Sequence, residues 1–159
     1  MDVQGFFEEI RVHKRLLVEG SDDLNVCYHL FKHYNIEILE KNQTTSQQRI
    51  EIINKQGITR LLGTLDQELG RSHLKCLGIL VDADENCASR WQTVHDILVK
   101  CGYQTVPLIP DPNGTIVRED DKPAVGIWIM PDNQLPGMLE HFCRFLVPDN
   151  GCLWVPTCY

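Results

Sequence analysis

The sequence predicts an α/β fold in which a mostly parallel sheet is flanked by helices. Short apolar runs rich in branched side chains recur along the chain, and the clearest of them stop at acidic residues. Stretches with apolar residues at helical spacing fall between them, in the alternating order that a parallel sheet with crossover helices requires. The 159 residues are about one domain's worth and suffice for a sizeable core. With no internal repeat, low-complexity tract or domain boundary in the sequence, residues 1–159 are expected to form one domain.

Residues 1–14 are mixed and give no firm pattern. Residues 15–20 (RLLVEG) form an apolar run ending at Glu19; Gly20 permits a tight turn, and Ser21 or Asp22 suits the start of a helix. That helix is expected over 23–34, where Leu24, Val26, Cys27, Leu30, Phe31 and Tyr34 recur at helical spacing. His29 and His33 are four apart on it, but no acidic third ligand accompanies them, so packed or solvated histidines are the expected reading. Residues 35–40 (NIEILE) alternate like a strand near a sheet edge, and 41–57 are polar at first, then offer a short helical or extended piece. After Gly57, the residues Ile58, Leu61, Leu62, Leu65 and Leu69 make a helical stripe that closes at Gly70.

The stretch 77–86 (LGILVDADEN) is the centre of the pattern. Its apolar run reads as a strand buried on both faces, and it ends at Asp82 and Asp84. In extended backbone, residues two apart project to the same side, so these two carboxylates are expected to share a pocket. Residues 88–101 form the next helix, with Trp91, Val94, Ile97, Leu98 and Cys101 on one face and Gly102 ending it. Residues 103–110 (YQTVPLIP) read as a strand and 111–115 (DPNGT) as a turn between extended pieces, so a hairpin insertion is expected near 103–125. Residues 124–130 (AVGIWIM) read as another buried strand, running into Pro131, Asp132 and Asn133. From Pro136 a last helix is expected, with Leu139, Phe142, Cys143 and Leu146 as its apolar face; 149–159 carry little pattern.

A net charge of −7 argues against a broad basic surface that grips nucleic acid through many phosphates. It leaves nucleic acid open as a partner, because a cation held by carboxylates supplies positive charge locally. The seven cysteines are odd in number and scattered, with no Cys-x-x-Cys pair, which suggests free thiols in a reducing compartment rather than a disulfide framework or a zinc site. No apolar run reaches the ~20 residues needed to span a bilayer, and the first residues lack the apolar core of a signal peptide. The cytoplasm is the expected location, with no membrane partner. The sequence offers no serine-histidine-acid arrangement, Walker loop or dinucleotide fingerprint.

Glu19, the Asp82 and Asp84 pair, and Asp132 each follow a predicted strand. If the first and third strands are neighbours, the crevice between them is a topological switch point, where open α/β sheets bind ligands. Three carboxylates gathered there repel one another unless a proton or a cation intervenes, and magnesium or manganese, hard ions that prefer oxygen, would remove the conflict. The plain alternative is that these acids cap turns.

VEGSDD (18–23) followed by VDADEN (81–86) resembles the Toprim domain shared by type IA and type II topoisomerases, bacterial primases and OLD-type nucleases. That domain's signature is a glutamate after the first strand and Asp-x-Asp after the third. VDADENCASRWQ (81–92) with GIWIMPDNQLPGMLEHF (126–142) is further similar to a small stand-alone Toprim-like family of unknown function, over roughly residues 13–154. The resemblance implies a Toprim-like, Rossmann-like sheet, with Glu19 as general acid or base and Asp82 and Asp84 as ligands of magnesium or manganese. It implies a phosphodiester hydrolase or phosphotransferase acting on nucleic acid or a nucleotide. Asp132 and Glu140 enter either as extra ligands in the manner of the OLD branch or as a turn and a helix face. Asp23 is expected to serve a helix start, with a further ligand role as the alternative, and Arg90 to meet a phosphate.

The alternative function is a non-catalytic metal- or nucleic-acid-binding module that works with a partner protein or as a homo-oligomer, because Toprim enzymes of known activity carry partner domains that this sequence does not show. A purely structural domain is the third reading. Members of the small family continue past the Leu-Trp near position 154 into a helical segment bearing basic and aromatic residues. If that segment supplies phosphate contacts or closes the sheet, the shorter sequence here is expected to be impaired.

Overall fold

The computed structural model describes residues 13–39 and 49–146. The strands are β1 (Lys14–Val18), β2 (Ile50–Asn54), β3 (Cys76–Asp82), β4 (Thr115–Val117) and β5 (Ala124–Met130). The helices are α1 (Ser21–His33), α2 (Ile58–Gly63), α3 (Leu65–Leu69), α4 (Cys87–Lys100) and α5 (Leu139–Phe145). The strands form one sheet in the order β2-β1-β3-β5-β4, parallel throughout except for β4 at the edge. The α/β class with a mostly parallel, helix-flanked sheet is therefore the one the sequence predicts.

Both sheet faces are covered, which is why β3 and β5 are apolar without a polar alternation. Leu17, Leu77, Ile79, Val81, Val125, Ile127 and Ile129 turn to one face and pack on Leu61, Leu65, Trp91, Val94 and Leu98 from α2, α3 and α4. Val18, Leu80 and Met130 turn to the other and meet Cys27 of α1 and Leu139 of α5. Gly78 leaves room for the Leu16 side chain of the neighbouring strand, since a Cβ there would lie 2.7 Å from Leu16 Cδ1.

The structure departs from the predicted elements in four places. The edge strand expected over 35–40 is reduced to one parallel bridge, Ile38 to Ile50, and the strand that pairs with β1 is Ile50–Asn54, whose β-branched residues fit the sheet surface. The helix expected over 58–69 is two short helices broken at Thr64, whose Oγ1 donates to the Arg60 carbonyl at 2.9 Å.

Residues 103–110 form no strand. Pro107 and Pro110 lack N–H donors, the amides of Gln104 and Thr105 are taken by Glu119 Oε1 at 2.6 and 2.7 Å, and the Leu108 carbonyl accepts from Trp91 Nε1 at 3.2 Å. The turn after Asp111 therefore leads into β4, and the hairpin is β4–β5, turning through 118–123 rather than at DPNGT. Finally, α5 begins at Leu139, three residues beyond Pro136. The expected lead-in at 1–12, the polar tract at 40–48 and the tail from 147 lie outside the described residues.

Candidate functional site

The candidate site lies where β1, β2 and β3 deliver their carboxyl ends. Glu19 directly follows β1 and Asp82 is the last residue of the adjacent β3; the Asp82 amide donates to Glu19 Oε1 at 2.8 Å. The loop after β2 supplies the opposite wall. Its amides bind back to the end of β1, Lys55 N to the Val18 carbonyl at 2.9 Å and Gly57 N to the Glu19 carbonyl at 2.8 Å. Gln56 and Gly57 have φ of 61° and 120°, so the chain turns sharply at a position where glycine is favoured. Asn54 locks the turn by accepting from Gln56 N at 2.8 Å and donating to Ser21 Oγ at 3.2 Å. The result is an open cavity of about 400 Å³ lined chiefly by Glu19, Ser21, Asp23, Asn54, Gln56 and Asp82.

Three carboxylates crowd this cavity. Asp23, on the first turn of α1 and only 7% exposed, reaches back to accept from the Gly20 amide at 2.8 Å, the helix-start role expected for it. Asp82 Oδ1 accepts from the Leu139 amide at 3.1 Å. Burial, reinforced by the charges of Glu19 and Asp23, nevertheless pushes the Asp82 carboxyl up to about 7. Burial also raises Glu19, against the opposing pull of the Asp82 N–H and the Arg90 charge, and raises Asp23 against the Gly20 N–H. Among the described residues none of the three is in an ion pair.

Asp84 is placed elsewhere. The extended backbone ends at Asp82, Ala83 turns into the core, and Asp84 takes a left-handed φ of 52°. It exchanges two backbone hydrogen bonds with Gly137, at 2.9 and 2.8 Å. The period-two alternation that would have put Asp82 and Asp84 on one side therefore stops one residue too early. Asp84 Oδ2 instead pairs with Arg90 Nη2, while Arg90 Nε donates to the Asp82 carbonyl at 2.8 Å. Asp84 lines a neighbouring cavity of about 670 Å³ with Asn86, Ser89, Arg90, Thr93 and His141. Its charge still contributes to raising both Asp82 and Glu19.

Of the remaining sequence candidates, Asp132 is a turn residue whose Oδ1 accepts from the amides of Gln134 and Leu135 at 3.1 and 2.8 Å. Glu140 is exposed on α5, near enough to Asp23 to help raise it. Asn86 caps α4, accepting from Ser89 N at 2.9 Å. Sequence reasoning missed Asn54, Gln56 and His141 as lining residues. Only Gly57, marking a turn before a helix, hinted at the first two.

Glu19, Asp82 and Asp23 offer oxygen donors only, and their crowding is the kind a hard divalent cation relieves, so these residues fit such an ion. As they stand, no group of three His, Cys, Asp or Glu side chains among the described residues is gathered to hold a metal. The fold and this crevice define an α/β protein with an acidic pocket at the switch point of its sheet. The chain belongs to a family of proteins of unknown function, DUF3226, which it matches over residues 13–157. No curated protein and no solved structure matches it. Among the described residues no helix is long and apolar enough to cross a membrane.

Proposed function

We propose that the chain is a divalent-cation-dependent phosphodiester hydrolase or phosphotransferase acting on nucleic acid or a nucleotide, with a Toprim-like site. The observation that supports this most is the Asp82 N–H to Glu19 contact. It joins two half-buried carboxylates, 63 positions apart in sequence, in the crevice between β1 and β3. Asp82, joined by Asp84 once that carboxylate leaves Arg90, would hold magnesium or manganese, which when bound neutralises the carboxylates and polarises a phosphate. Asp82 gives up its proton to do so, and cation affinity therefore falls below pH ~7. Glu19, raised by burial yet held by the Asp82 amide, is poised to take a proton from an attacking hydroxyl or return one to the leaving oxygen. Asp23 keeps the β1–α1 turn closed so that Glu19 stays in place.

The pairing of Asp84 with Arg90 favours a second reading, in which the chain is a non-catalytic metal- or nucleic-acid-binding module and a partner or second copy completes the site. The test is turnover of single- and double-stranded DNA, RNA and nucleotides with magnesium or manganese. Glu19→Gln is expected to slow turnover ~10²–10⁴-fold while leaving manganese binding within a few-fold. Binding of manganese or nucleic acid without turnover of any substrate supports the module; no turnover and no binding of either overturns both readings.

A further inference from the structure

We propose that Arg90 is a positioning residue that trades partners: on a turn set by the bridge to Gly137 it holds the Asp84 carboxylate until a cation takes it, and the freed guanidinium then takes a phosphate in the neighbouring cavity. The inference rests on the divalent-cation reading above and adds a specific coupling to it. The guanidinium sits astride the end of β3, with Nε on the Asp82 carbonyl at 2.8 Å and Nη2 on Asp84 Oδ2. It therefore occupies with one positive charge a place beside the two residues that a divalent ion would need together.

The Asp84 end of the latch is half in solvent, 51% exposed, where an ion pair contributes little; the Arg90 end is 16% exposed and stays anchored by Nε to the Asp82 carbonyl. A doubly charged ion beside Glu19 and Asp82 attracts Asp84 more strongly than a single guanidinium does at equal distance. Arg90 has somewhere to go, because it already lines the cavity of about 670 Å³ whose other walls include Asn86, Ser89, Thr93 and His141. Asn86 Nδ2, the Ser89 hydroxyl and His141 Nε2 can donate hydrogen bonds there, the Thr93 hydroxyl being committed to the Ser89 carbonyl at 3.0 Å, and the planar guanidinium fork matches a phosphate. Exchange of this kind makes cation and anion binding reciprocal, each strengthening the other.

The experiment is a manganese titration of the full chain, read by the resonance of free manganese. It is run on the wild type, Arg90→Gln and Arg90→Gln with Asp84→Asn, each with and without sulfate as the anion probe. Removing the tethered competitor is expected to tighten manganese binding about three- to fivefold in Arg90→Gln, an effect lost in the Asp84→Asn background. Sulfate is expected to tighten manganese binding in the wild type and not in Arg90→Gln. Should Arg90→Gln fail to fold, Arg90→Lys keeps the charge and loses the fork, and is expected to lose the sulfate effect. A merely structural Arg90 would leave manganese affinity unchanged or weakened in a folded Arg90→Gln, and that result overturns the exchange alone. Absence of manganese binding in every form removes the cation reading as well.

Discussion

Two acidic sites in this molecule, one buried and one half-buried, face opposite environments. Glu68, on α3, has a side chain 6% exposed and is met by three bases: Arg15 Nη1 at 2.8 Å, Lys55 Nζ at 2.8 Å and Arg71 Nε at 2.7 Å. Despite the burial that opposes it, this cradle holds the Glu68 carboxyl down to about 2. Asp82, with backbone amides and other carboxylates for company, is pushed up to about 7. The first site is compensated and ties β1, the loop after β2 and α3 together. The second has no base to pair with among the described residues and lines an open cavity. Lys55 links them, since it belongs to the loop whose next residues, Gln56 and Gly57, wall the acidic cavity.

Breaking the compensated site should have the largest effect. Glu68→Gln strands Lys55 without its anion and leaves Arg15 with Glu51 alone, although both side chains are only 12% exposed. An expected loss of ~3–5 kcal/mol in unfolding free energy follows, read by urea denaturation at pH 7. A loss below ~1 kcal/mol would mean that solvent reaches these groups and the contrast is false. Because the folded-state pKa of Glu68 is depressed, its contribution is complete above about pH 4.5 and disappears as pH falls towards 2.

Asp82→Asn is expected to act in the reverse direction. Between about pH 4 and 7 folded Asp82 keeps a proton that the unfolded chain has released, so the folded state is favoured at low pH and loses stability as pH rises through that window. The neutral amide removes the conflict and should stabilise the cation-free protein at pH 8 by ~1–2 kcal/mol, once solvent screening of a half-buried group is allowed for. It should also flatten the pH dependence between 4 and 7, measured as unfolding free energy at stepped pH. If Asp82→Asn destabilises instead, the carboxylate is already compensated and the crevice is not a strained acidic site. Stability gained by removing a site residue is the usual sign of a function held at the expense of the fold.

How much of this the sequence carried depends on the range of the interaction. β3 and β5 were legible because they are buried on both faces and their composition says so, whereas β2 and β4, at or near the sheet edges, were not. Glu19 and Asp82 were legible because each sits where an apolar run ends, a local mark. What escaped was set by partners distant in sequence. The left-handed turn at Asp84 depends on its bridge to Gly137, and the failure of 103–110 to form a strand depends on Glu119 and Trp91. Glu68 looked like one more polar position beside a leucine stripe. Nothing near it signals that Arg15, 53 positions earlier, completes its cradle.

The smallest expected effect belongs to Asp84→Asn. The Asp84–Arg90 pair is structurally conspicuous, but the Asp84 side chain is half in solvent and its backbone is held independently by the two hydrogen bonds to Gly137. Asparagine tolerates the left-handed conformation as well as aspartate does, so the turn should persist. Stability measured by urea denaturation is expected to change by less than ~1 kcal/mol, against the much larger loss for Glu68→Gln. The two acids would then differ because only one has surrendered its water. A loss comparable to that of Glu68→Gln would place Asp84 with the compensated group, as part of the framework, and would leave Asp82 without the second carboxylate that the proposed cation site draws on.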